Sequence, residues 1–176
     1  MEHLRRPPMF ALAAALFILT IGSLTGAALV ALQDSLYALA RREIVKRPDV
    51  HGFAGTELID ERRIKEVADQ ANTALRLLHT HALGIGMLIL IATLVIANLP
   101  IPPRAQSILC VMISLGAIYP LGWLMLTWLI PYWGVDRLRA PVEWIFFVPF
   151  GGLLVAGLCG GLGYYVISVF KRVPAP

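Results

Sequence analysis

Four long uncharged runs divide the chain. Residues 10–32, 79–99, 108–130 and 144–170 contain no Asp, Glu, Lys or Arg. About 20 apolar residues at 1.5 Å each cross the ~30 Å hydrocarbon layer of a bilayer. The pattern therefore predicts an all-α polytopic membrane protein, a four-transmembrane-helix bundle forming a single domain over residues 1–176. Between the first two spans lies a polar loop, 33–76. Within it Ile64, Val67, Ala68, Ala71, Ala74, Leu75 and Leu78 recur at three- and four-residue steps, which predicts an amphipathic helix. No Gly or Pro lies between Glu57 and His79, so this helix runs into the second span as an extension, with Asp60 its expected N-cap. Tyr37 to Arg47 is expected to continue the first helix, and Pro48 to Gly55 reads as a turn. Pro100, Pro102 and Pro103 close the second span; Pro120 is expected to kink the third and Pro149 to interrupt the fourth. An even number of spans puts both ends on one side.

Composition sharpens this picture. The chain is 58% hydrophobic and 15% charged, with a mean hydropathy of +0.74, well below the ~25% charged residues of soluble domains. Its net charge of +4 is spread over loops and ends with no basic cluster interleaved with aromatics. This excludes a nucleic-acid face and points to a lipid bilayer. A cleaved signal sequence is the rival reading of residues 10–32, but the run exceeds the ~7–15 residues of such cores. The loop side carries ten basic residues and the termini side five. The head charges Arg5 and Arg6 precede the first span, and such charges often dominate orientation. They place the termini in the cytoplasm of a bacterial inner membrane. Gly22 and Gly26 form a GxxxG pair, and six glycines mark the fourth span, so close helix packing and a homo-oligomer or larger membrane complex are expected.

Candidate chemistry is sparse. Cys110 and Cys159 lie in apolar runs without a CxxC motif. No charged residue occupies the middle of a span, which argues against an ion-coupled transporter. What remains is a histidine pair, His79 and His81, where the amphipathic segment becomes apolar. Two residues apart on a helix they point ~200° from each other, so they cannot share one zinc ion as i, i+4 histidines do. Small Ala82 and Gly86 on the face of His79 would leave room for a flat ligand, and Arg76 could pair with a carboxylate or propionate. An imidazole, a flat surface and a cation at the aqueous edge are what haem b needs. The alternative is a pair of structural histidines at a helix end.

The segment Arg76-Leu77-Leu78-His79-Thr80-His81-Ala82 resembles the start of the second helix in catalytic subunits of haem-copper oxidases, especially C-type oxidases and nitric oxide reductases. There an R-x-x-H-T-x-A segment follows a periplasmic connection, and its histidine ligates the low-spin haem. The resemblance covers about fifteen residues and carries over His79 alone, as the haem ligand; His81, two residues on, is the second candidate on its position. The family has many more helices and takes its second axial ligand from a late one. Here the third and fourth spans hold no histidine, so an oxygen- or NO-reducing enzyme is not implied. A sixth ligand would come from a second copy, from Met112 or Met125, or be missing. Two readings stand. One is a small haem-binding, electron-transferring membrane protein or respiratory-complex-like subunit. The other is a non-catalytic membrane subunit or assembly factor.

Overall fold

A computed structural model describes residues 4–170. They are helical throughout, with no strand, and four helices are long and apolar enough to cross a membrane. In chain order α1 is Met9–Ala31, α2 Gln33–Val45, α3 Pro48–His51, α4 Glu57–Ala97, α5 Pro103–Leu115, α6 Tyr119–Trp133, α7 Val135–Val142 and α8 Gly152–Phe170. A 3-10 turn, Gly116–Ile118, joins α5 to α6, and a π-helical stretch, Glu143–Gly151, joins α7 to α8.

Helix α4 organises the rest. Its 41 residues make it ~60 Å long, twice the thickness of a hydrocarbon layer. One half packs on α1, α5 and α8 through Ile18, Ala82, Ile89, Ile96 and Ile113. The other half, the amphipathic extension, packs on α6 and α2 through Ile44, Ile64, Val67, Ala71, Leu126 and Ile130, and α7 joins this core from the α6 side through Val142. The expected periodicity is thus the face that is buried: Ile64, Val67, Ala68, Ala71, Ala74 and Leu78 are all inside. Burial of such a stripe is what stabilises an amphipathic helix.

Helix ends differ from the sequence reading in detail. Helix α4 starts at Glu57, with Thr56 before it, and Asp60 is not its N-cap. Instead the Asp60 carboxylate, inside the first turn, accepts the Ala54 and Gly55 amides at 2.7 and 3.1 Å. The first helix does not run straight on; the chain breaks at Leu32 (φ −125°, ψ 10°) before α2 resumes. Residues 135–142, between the third and fourth uncharged runs, form the short helix α7. Pro120 sits in the first turn of α6, directly after the 3-10 turn, so the kink falls just ahead of it. Pro149 lies within the π-helical stretch, where it has no amide to donate to the ladder of five-residue bonds.

At the far end of α4, Asn98 and Gln106 satisfy carbonyls that a helix terminus leaves bare. The Gln106 amide donates to the Leu99 carbonyl at 2.9 Å. Asn98 donates to Leu94, and exchanges two bonds with the backbone of Arg5. The short basic head is thereby tied to the α4 end. Lys171 and Arg172, expected to stop the last span, lie outside the described residues.

Candidate functional site

The two histidines of α4 face different neighbouring helices. His79 faces α1. Its Nδ1 lies 2.8 Å from the Gly22 carbonyl oxygen; a carbonyl only accepts, so Nδ1 carries the proton and donates. The ring covers Gly26: a Cβ there would lie 2.5 Å from His79 Cε1 and 2.8 Å from Nδ1. Gly22 is equally tight, because a Cβ would meet Leu83 at 2.9 Å and Ala82 at 3.1 Å. The GxxxG pair of α1 is therefore the socket for His79 and its neighbours. It lets two backbones approach closely enough for a side chain of one to bond the main chain of the other.

His81 faces α6. Its Nδ1 donates back to the Leu77 carbonyl at 2.8 Å, and its ring stacks on Trp123, with centroids 5.6 Å apart and planes at 30°. Tyr119 lies at the same centroid distance, tilted by 40°. Phe147, from the π-helical stretch, completes the cluster at 4.9 Å from Tyr119 and 4.7 Å from Trp123. Gly122 makes room for it, since a Cβ there would sit 2.5 Å from Phe147. Among the described residues, none offers the buried Trp123 indole nitrogen a partner.

The fit to haem divides. With Nδ1–H on a carbonyl, neutral His79 keeps a lone pair on Nε2, the tautomer that metal-ligating histidines use. The flat wall expected from Ala82 and Gly86, however, is not open. Ala82 is fully buried, and a Cβ on Gly86 would lie 2.6 Å from Leu19 of α1. Helix α1 covers the surface on which a porphyrin would rest. Arg76 is exposed one turn away, and it takes part in no ion pair among the described residues. Among these residues no three His, Cys, Asp or Glu side chains converge to hold a metal ion. Met112 packs against Gly157 and Met125 against the second core cluster, neither of which contains His79.

Two features escaped the sequence reading. His51 sits in what reads as a polar turn, yet it is 3% exposed. Its Nε2–H donates to the Pro131 carbonyl at 3.0 Å, supplying one of the acceptors' partners that the end of α6 lacks. Arg63 in turn donates to the His51 carbonyl at 3.1 Å. Burial, aided by the charges of Arg63 and Arg47, pushes the His51 imidazole below its ordinary value despite the Pro131 bond. The available signal was Pro48 at a helix start and Gly52 three residues beyond Asp49, the Pro-first, Gly-last signature of a short helix; Gly52 is left-handed at φ 65°.

The second feature is a cavity of about 410 Å³ between α1, α2, α4 and α6. Leu24, Ala28, Leu78 and Leu124 line one end, and Tyr37, Glu43, Asn72 and Tyr132 lie among the residues toward the other. Glu43 accepts from Lys46 at 2.6 Å and from Arg47 at 2.8 Å, and these bonds hold its carboxyl below the usual carboxylate range. The Arg47 guanidinium also lies over the Tyr132 ring, 4.5 Å from its centroid. No periodicity argument could find this cavity, because its walls come from four helices whose relative placement the sequence does not state.

No protein-family model, curated protein or solved structure matches the chain.

Proposed function

We propose that this chain is an integral membrane protein acting by docking, as a non-catalytic subunit or assembly factor of a larger complex, with structural histidines. The observation that supports this most is the use made of His79. Its ring fills the Gly22–Gly26 socket and bonds the Gly22 main chain, the work of a helix-to-helix lock. His81 is likewise engaged, by its own helix and by an aromatic cluster. Large apolar side chains remain exposed along α1 and α8, among them Phe17, Leu24, Val155 and Leu162. In a membrane these faces meet lipid or the helices of a partner. Termini in the cytoplasm and a bacterial inner membrane belong to the same proposal.

One observation favours the haem b reading as a second: the free Nε2 of His79. A reduced-minus-oxidised visible spectrum of the purified protein, with a pyridine haemochrome assay, separates the two. The docking reading expects no b-type α-band from protein made with ample haem, and a His79→Ala protein that is less heat-stable in detergent. A b-type band that His79→Ala abolishes would overturn it and establish the electron-transfer reading.

A further inference from the structure

The cavity between α1, α2, α4 and α6 has the layout of an amphiphile site. Its volume of about 410 Å³ falls within the ~300–1,000 Å³ of small-molecule sites. It extends along α4 from Leu78 to Ala68, ten residues or ~15 Å, on the amphipathic side of the apolar run that begins at His79, while its walls from Leu24 to Ala28 and from Leu124 to Trp128 belong to the first and third apolar runs. Its walls change character along that length. Leu24, Ala28, Leu78 and Leu124 belong to the end nearer the His79 level. Tyr37, Glu43, Asn72 and Tyr132 contribute polar atoms further out. The break at Leu32 lies on the wall, so the cavity follows the bend where α1 gives way to α2.

Charge at the outer end is arranged as an acid between two bases. Of these three only Glu43 lines the cavity; it bridges Lys46 and Arg47, which stand beside the rim on the next turn of the chain. Its own side chain is 13% exposed, whereas Lys46 is 49% and Arg47 31% exposed. The phenols of Tyr37 and Tyr132 and the Asn72 amide make no hydrogen bond to the other described residues. A ligand for this end would carry an anion for Lys46 and Arg47 and a cation that Glu43 can accept. It would also carry an alkyl chain for the apolar end.

We propose that this cavity binds one bilayer phospholipid with a zwitterionic, primary-ammonium headgroup. One acyl chain occupies the Leu24–Leu124 end. The phosphate meets Lys46 and Arg47, and the ammonium shares the Glu43 carboxylate. Charge-assisted hydrogen bonds of this kind are the strong ones at a lipid–water boundary. The site rests on the membrane reading above, and the two are tested apart.

Alkaline extraction of membranes first decides insertion; a chain released into the soluble fraction overturns both readings. The inserted protein is then reconstituted in nanodiscs of mixed phosphatidylethanolamine, phosphatidylcholine and phosphatidylglycerol, and analysed by native mass spectrometry. The expected result is one retained phosphatidylethanolamine per chain, enriched severalfold over its share of the mixture. Ala28→Trp and Ala40→Trp, both at half-buried wall positions, should each remove that adduct while circular dichroism keeps the wild-type helix content. Glu43→Gln should abolish the preference for phosphatidylethanolamine over phosphatidylcholine. Adducts that mirror the mixture in the wild type, or that survive both tryptophans in folded protein, overturn the lipid site and leave the membrane reading intact. Enrichment of phosphatidylglycerol instead overturns the zwitterionic headgroup.

Discussion

At the scale of single residues, the contact between His79 and Gly26 is where sequence, packing and function meet most tightly. Gly26 is there because nothing larger fits: its Cβ would lie 2.5 Å from the imidazole. Filling a packed seam costs typically 1–3 kcal/mol. Gly26→Ala should therefore lower the unfolding midpoint in detergent by that order, and Gly26→Val by more. Gly84 is the control on the same helix as His79, since a Cβ there meets nothing within 4 Å. Gly84→Ala should be neutral or mildly stabilising, because alanine is the better helix former by about 1 kcal/mol. The decisive variant is the double Gly26→Ala, His79→Ala, in which the added methyl enters the space vacated by the ring. Its loss should be smaller than the sum of the two single losses. Strict additivity would mean the ring and the glycine are not in contact.

Among the α-helices, α3 is the shortest and the most conditional. It is held by His51, whose Nε2–H reaches the Pro131 carbonyl, with burial first and the cations Arg63 and Arg47 after it disfavouring a charged imidazole. The sign follows from the direction of that shift. The folded value lies below the ordinary ~6.5 of an unfolded histidine, so the detached turn takes up a proton first. Docking is weakened as pH falls through ~6.5, and the penalty levels off only below the depressed folded value. Amide hydrogen exchange of residues 50–53, corrected for its intrinsic pH dependence, should be faster at about pH 5.5 than at about pH 7.5, on either side of that value. His51→Gln should remove the difference; an unchanged pH dependence in that variant would assign it to other groups.

This element also marks how far the chain could be read. The long uncharged runs and the Ile64–Leu78 stripe carry their own physical instruction, since length and periodicity are local properties, and they appear as α1, α4 and their burial. His51 falls within the Pro48–Gly55 stretch that reads as a turn, and nothing in its neighbours marks it for burial. Its burial depends on where the end of α6 lies, eighty residues later. The same limit governed the histidine pair. Helix spacing correctly pointed His79 and His81 in different directions, but only the placement of α1 determines that the space beside Ala82 and Gly86 is taken.

For the whole molecule, the proposed membrane reading raises the question of how four helices of unequal length would sit in one bilayer. Helix α4 and the α5–α6 arm, 41 and 31 residues long, both exceed what ~30 Å of hydrocarbon requires. Their surplus lies at one end, where α2, α3 and α7 pack around them. That end is therefore a helical head with a core of its own, and the opposite end is the short turn between Asn98 and Pro103. A four-span arrangement forces residues 33–56 and 134–142 to one side and residues 100–104 to the other. Exposed positions in a Cys110→Ser, Cys159→Ser background test this directly with a membrane-impermeant maleimide. Asp49→Cys and Asp136→Cys should label together, and Arg104→Cys only when the membrane is opened. That outcome in intact cells places the head outside the cytoplasm, as cytoplasmic termini require; the reverse pattern keeps four spans and inverts them. Labelling of all three from one side is incompatible with any even crossing of the bilayer between residue 49 and residue 136 that places residue 104 opposite, and it would remove the four-span reading together with the lipid site built at the boundary of its head.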